Sequence, residues 1–197
     1  MANNLIMNRK KAIRNIILLG GGTAALLAGW KSYNIFKKPA FAKLDEYQLL
    51  IDELAELIIP ETNTPGAGKA GVGRFISLMV RECTSRQAQN NFIEGVDDLA
   101  DYAKSRYDKP FLQCSEADKI SILRHFEEKG RGYKGMLGKA ETRFLGDSFF
   151  TTLKKYTVMG YCTSKQGATS GLQYDYIPGS YQGIVPLAPG QRAWATK

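Results

Sequence analysis

Few side chains in this sequence are spaced to do chemistry, and the best placed of them stands in a turn. Glu61 lies in Ile58-Ile59-Pro60-Glu61-Thr62-Asn63-Thr64-Pro65-Gly66-Ala67-Gly68, where Glu61 to Thr64 show no periodicity that would bury them. A carboxylate there, assisted by the phenol of Tyr161 or Tyr174, would be an acid–base pair, but no second group stands at an interpretable spacing. His125, the one histidine, sits between Arg124 and Phe126 with no serine or cysteine partner, which fits a surface or half-buried helix residue. Asp97, Asp98 and Asp101 lack the spacing of a calcium loop and read as a solvated helix face. Gly20-Gly21-Gly22-Thr23 lacks the Lys-Ser/Thr of a phosphate-binding loop. Cys83, Cys114 and Cys162 form neither a CxxC pair nor a haem-attachment motif; one disulfide or inert thiols both fit. No pattern that would hold a flavin, a haem or a metal is present.

The elements around these residues are helical. Leu49, Leu50, Leu54, Leu57 and Ile58 recur at helical spacing after Leu44, with Asp45 as the expected N-cap and Gln48 three residues on. Pro60 stops that helix, and the prolines and glycines up to Gly71 read as a rigid helix–helix connection. A second helix is expected from about Ala70, more fully buried, through Phe75, Ile76, Leu78, Met79 and Val80. A third restarts at Thr84-x-x-Gln87, buries Phe92, Val96, Leu99 and Ala103, and ends before Pro110. Ser115-x-x-Asp118 opens a fourth, carrying Ile120, Ile122, Leu123 and Phe126. After a loop over 130–138, a fifth runs from about Glu141 to Gly160. The fold class is mainly α: a compact bundle of about five helices with a long irregular Gly/Pro/Tyr-rich C-terminal tail.

The chain divides into residues 1–42, a helical domain over 43–160 and the tail over 161–197. The formal net charge is +8, but residues 1–42 hold seven basic side chains and no acid, leaving 20 Lys and Arg against 19 Asp and Glu. A near-neutral body does not indicate a nucleic-acid surface. Arg9-Lys10-Lys11 followed by the uncharged run 15–30 is the layout of an export signal. That run is shorter than the roughly 20 residues of a spanning helix. Arg9-Lys10 stands where a twin-arginine signal places its arginine pair, as a conservative variant of it. Twin-arginine export and general secretion both fit, as do cleavage after Ala40-Phe41-Ala42 and retention as an anchor. The tail lacks the aliphatic periodicity of a core, so its tyrosines and Trp194 either pin it to the bundle or contact another protein.

Two motifs, Ile58-Ile59-Pro60-Glu61-Thr62-Asn63-Thr64-Pro65-Gly66-Ala67 and the later Gly160-Tyr161-Cys162-Thr163-Ser164 with Tyr174 to Gly183, together resemble the gluconate 2-dehydrogenase subunit 3 family over about 44–194. The matching positions are Pro60, Glu61, Thr62, Pro65, Gly66 and Ala67 in the first motif. In the second they are Gly160, Tyr161, Ser164, Gly167, Tyr174, Pro178, Gly179, Tyr181 and Gly183, with Trp194 beyond.

The resemblance implies a cofactor-free accessory subunit with no catalytic residue of its own. Its implied partner is an FAD-dependent glucose–methanol–choline-type flavoprotein that oxidises a sugar, sugar acid or glycoside. Electrons would pass to a c-type cytochrome or directly to the respiratory chain. It further implies a periplasmic, membrane-associated complex, export of the folded flavoprotein by this subunit's leader, and a partner interface on the second motif. Two other readings stand beside it: a free-standing periplasmic binding or structural module, and a cofactor-free enzyme using Glu61.

Overall fold

The computed structural model describes residues 37–131, 146–173, 179, 184, 186, 187 and 189–194. The chain divides between Lys38 and Pro39 into two units, and the described helices belong to the second. Six α-helices are described there: α1 Ala42–Glu46, α2 Gln48–Ile58, α3 Val72–Cys83, α4 Arg86–Tyr107, α5 Glu116–Lys129 and α6 Phe149–Thr163. A 3-10 turn, Phe111–Gln113, links α4 to α5, and a π-helical turn, Gly167–Gly171, lies beyond α6. Among the described residues there is no strand, only an isolated parallel bridge between Gln173 and Trp194. The protein is mainly α, as the periodicity predicts. No helix among the described residues is long and apolar enough to cross a membrane.

One core unites the helices. Ile51 and Leu54 of α2, Ile76 and Val80 of α3, Phe92, Val96 and Leu99 of α4, Ile122 of α5 and Leu153 of α6 are all essentially excluded from solvent. Each such side chain contributes about 1.5–3 kcal/mol relative to exposure. Cross-contacts show α2 and α3 antiparallel: Gln48 meets Ser77 and Asp52 meets Gly73, and Asp45 of α1 extends the series to Arg81. Phe149 at the start of α6 wedges between Phe92 (ring centroids 5.4 Å) and Phe126 (5.9 Å, edge to face). Gln89 of α4 donates to the carbonyls of Val80 and Arg81, satisfying the open end of α3.

Several local expectations give way to long-range contacts. Asp45 is not a cap: α1 already begins at Ala42, the helix breaks at Tyr47, and the Asp45 carboxylate accepts from Arg81 at 2.9 Å. Thr84 does not cap α4 either. Its hydroxyl donates to the Met79 carbonyl and pairs with the Tyr156 hydroxyl, and Ser85 occupies the N-cap position. Ser115 does cap α5, accepting from the Asp118 N–H. Helix α3 starts two residues later than expected and is amphipathic rather than fully buried, with Leu78 56% exposed. Residues 146–148 are not helical and Ser148 caps α6, so this helix begins at Phe149; residues 132–145 lie outside the described residues.

The other end of α6 also differs. It continues through Gly160 to Thr163, and Gly160 lets the Phe75 ring sit against the helix where a Cβ would collide. The change in composition at Gly160 is therefore not the end of the helical body.

Candidate functional site

The two motif stretches are neighbours in space. The first forms the connection from α2 to α3, and its organiser is Glu56 in the last turn of α2. One Glu56 carboxylate oxygen accepts the Glu61 N–H at 2.8 Å and the other accepts the Gly68 N–H at 2.7 Å. Gly66 is buried directly against this carboxylate, where a Cβ would overlap it. The Ala67 N–H closes the loop onto the Ile59 carbonyl at 2.9 Å, and Ala67 itself is fully buried. Gly71, at a φ of 68°, makes the left-handed turn into α3 that a side chain would strain. At the tip, Pro60, Glu61, Thr62 and Asn63 are exposed, and Pro65 is half-buried.

The second stretch docks onto the first through Tyr161. That side chain is buried, and its hydroxyl donates to the Pro65 carbonyl at 2.8 Å across 96 residues of sequence. Gly171, at the end of the π-helical turn, packs on the Tyr161 ring and hydroxyl so closely that a Cβ would clash. Ser164 donates to the Tyr161 carbonyl and accepts from the Gly167 N–H, and buried Gly167 lies against that same carbonyl. Gln173 then donates to the Ala193 carbonyl at 2.8 Å, beside the bridge to Trp194, which ties residue 173 to residue 193. Between these tied ends, Ile184 is 93% and Leu187 83% exposed, and Trp194 beyond them is half exposed.

The predicted interface residues thus divide. Gly160, Tyr161 and Gly167 are buried within this chain and Ser164 shapes the turn, whereas Gly179 and Trp194 are exposed. Tyr174, Pro178, Tyr181 and Gly183 lie outside the described residues, as do Arg9 and Lys10. Sequence reasoning missed Glu56, which reads as one more acidic residue on a solvated face. A signal was present: a carboxylate in the last turn of a helix opposes the macrodipole, so it needs another partner.

Of the residues considered for acid–base chemistry, Glu61 and Tyr161 are engaged elsewhere and Tyr174 lies outside the described residues. The Glu61 carboxylate pairs with Lys69, and the Tyr161 hydroxyl is committed to the Pro65 carbonyl. His125 is exposed and stacks on Tyr102, 4.5 Å between centroids and 6° from parallel. Asp97 pairs with Lys43, and Asp98 lies 3.4 Å from Lys129. The hydrogen bond from Lys43 to Asp97 raises the Lys43 pKa; burial, then the same carboxylate, raises that of Tyr47. Cys83, Cys114 and Cys162 are free thiols. Among the described residues, no three of His, Cys, Asp and Glu are grouped as a metal site.

Clefts elsewhere in the bundle include two of note. One of about 210 Å³ between α4, α5 and α6 is lined by Glu94, Asp98, Phe126, Lys129, Phe149 and others. A second, of about 260 Å³, joins Cys83, Thr84, Asp147, Thr152, Lys155 and Tyr156. The Thr152 hydroxyl is buried there without a hydrogen-bond partner among the described residues.

A search of curated proteins and of solved structures returns no match to the chain. The sequence profile of gluconate 2-dehydrogenase subunit 3 matches residues 45–179, a span that includes the Glu56-centred loop, Tyr161 and the turn that packs on it. The chain belongs to the gluconate 2-dehydrogenase subunit 3 family, and is by that family a subunit of a dehydrogenase complex.

Proposed function

We propose that this chain is the accessory small subunit of a periplasmic, membrane-associated FAD-dependent dehydrogenase of the glucose–methanol–choline type. The complex would oxidise a sugar, sugar acid or glycoside, with FAD in the catalytic partner, electrons passing to haem c in a further cytochrome subunit or directly to the respiratory chain, and no cofactor on this chain. Residues 1–42 act as its export leader, with Arg9-Lys10 in place of a twin-arginine pair, and carry the folded flavoprotein with them. The C-terminal segment is the partner interface. The observation that carries this reading is the segment's anatomy: its ends are tied to each other through Gln173 and Ala193, while Ile184 and Leu187 stand in solvent. Large apolar side chains exposed to solvent in this way have the form of interface anchors.

The test is genetic and enzymatic. Deleting this chain in its native cells should abolish dye-linked dehydrogenase activity towards gluconate and related sugars in the envelope, with flavoprotein left in the cytoplasm. Undiminished envelope activity across those substrates would refute the accessory role.

A further inference from the structure

The cleft of about 260 Å³ lies where one helix ends and two begin. Cys83 closes α3, Ser85 and Ala88 open α4, and Asp147 and Thr152 flank the start of α6. Ser85 occupies the N-cap of α4 but makes no side-chain capping bond, and the first turn of that 22-residue helix holds no acid. First-turn N–H groups have no intrahelical acceptor and carry the positive end of the helix dipole. Space over one of them, at Ala88, is kept open by Gly146. Its φ of 78° suits glycine, and a Cβ there would stand 3.4 Å from the Ala88 nitrogen. Lys155 adds a half-exposed cation.

Thr152 gives an independent sign of a ligand. It is 2% exposed, and its hydroxyl has no hydrogen-bond partner among the described residues. Elsewhere in α6 threonine hydroxyls turn back to the carbonyl four residues earlier: Thr157 donates to Leu153 and Thr163 to Met159, each at 2.8 Å. Thr152 forgoes that bond, although its N–H takes the Ser148 carbonyl at 3.0 Å. A buried hydroxyl without a partner is costly, and native folds rarely keep one unless a ligand or water completes it.

We infer that this cleft binds a small oxyanion (a phosphate, sulfate or carboxylate group), with the Thr152 hydroxyl, the N-terminal amides of α4 and Lys155 as its donors. The site does not depend on the accessory-subunit reading. The Thr84 and Tyr156 hydroxyls, 2.8 Å apart, satisfy each other and form wall rather than donors. One group opposes the ligand: the Asp147 carboxylate, 3.9 Å from the Lys155 ammonium. That is a loose pair, and an ammonium has three N–H donors, so Lys155 can serve the ligand as well while Asp147 limits how tightly it binds.

The experiment follows thermal unfolding of the purified full chain against phosphate, sulfate and acetate in turn, with sodium chloride matching the ionic strength. A saturable rise in melting temperature with at least one of the three, absent with chloride, is the expected result; no rise with any of them overturns the inference. Thr152→Val and Lys155→Met should each weaken binding about tenfold or more, the loss of one hydrogen bond to a charged group. Asp147→Asn should tighten it. Unchanged binding in both Thr152→Val and Lys155→Met would mean an adventitious ion only, held elsewhere. Weaker binding in Asp147→Asn would show that the ligand donates to that carboxylate, which contradicts an oxyanion. A second readout needs no variant, because the exposed Cys83 thiol lines this cleft and Cys162 does not. Saturating anion should slow alkylation of Cys83 by iodoacetamide, mapped by peptide mass, and leave Cys162 unaffected; an unchanged rate at Cys83 refutes the site.

Discussion

If Glu56 is what folds the motif loop, removing it and crowding it should have the same effect. Glu56→Ala deletes the acceptor for the Glu61 and Gly68 N–H groups. Hydrogen bonds to a charged group contribute about 1.5–3 kcal/mol each when buried. Glu56 is only half-buried and water can reach the freed N–H groups, so the expected loss is about 2 kcal/mol for the pair. Gly66→Ala places a methyl group on the carboxylate. The carboxylate is the free end of a flexible side chain and can swing away, but only by giving up both bonds, so the cost is again about 2 kcal/mol. Each variant should lower the melting temperature by roughly 4–8 °C, taking about 2–4 °C per kcal/mol for a domain of this size. The sharper expectation concerns the double variant. Once the carboxylate is gone the three atoms nearest the methyl group are gone with it, so Glu56→Ala with Gly66→Ala should cost little more than either alone, a coupling of about 2 kcal/mol. Denaturant unfolding of the four proteins measures it. Additive losses would show that the loop is held by something other than this carboxylate.

Three other outcomes rest on single contacts. Tyr161→Phe removes the hydrogen bond to Pro65 and should cost about 1 kcal/mol while faster hydrogen exchange appears over residues 60–69; a stability loss without that local change would mean the phenol does not hold the loop. Thr152→Val replaces a buried, unpartnered hydroxyl by a methyl of similar shape and should be neutral or stabilising by up to about 1 kcal/mol in thermal unfolding; clear destabilisation would show that the hydroxyl has a partner. Lys43 and Tyr47 both have folded pKa values raised above the usual 10.5 and 10.0. The stability they confer is therefore complete below about pH 10 and is lost as the pH rises through their folded values. Tyr47→Phe should flatten the fall in melting temperature above about pH 10, and an unchanged slope would contradict the assignment.

Local grammar carried the sequence reading a long way. Helical spacing along α4 puts Phe92, Val96, Leu99 and Ala103 inside, and Ser115 caps α5 where its distance from Asp118 along the chain places it. What local pattern cannot hold is a bond made across the fold. Asp45 has the sequence position of a cap, but its carboxylate is taken by Arg81, 36 residues away in sequence. Gly160 and the small polar residues after it read as the start of a tail, because nothing near them in sequence announces the Phe75 ring that makes a glycine necessary inside the helix. The same holds for the site. The two motif stretches are visible separately, whereas the phenol that joins them spans 96 residues. Ile184 and Leu187 are also missed, since isolated aliphatic residues in a glycine- and proline-rich segment show no period and only their exposure marks them.

The proposed function has this chain, a member of a dehydrogenase subunit family, working bound to a flavoprotein. The most direct measurement of that claim is a gentle tagged pull-down from the native envelope fraction, with an absorbance spectrum of the eluate. A larger subunit with flavin absorption in the blue should co-elute with the unaltered chain, and should be missing from the eluate when the chain carries Leu187→Asp. A colourless eluate containing the unaltered chain alone would contradict the claim.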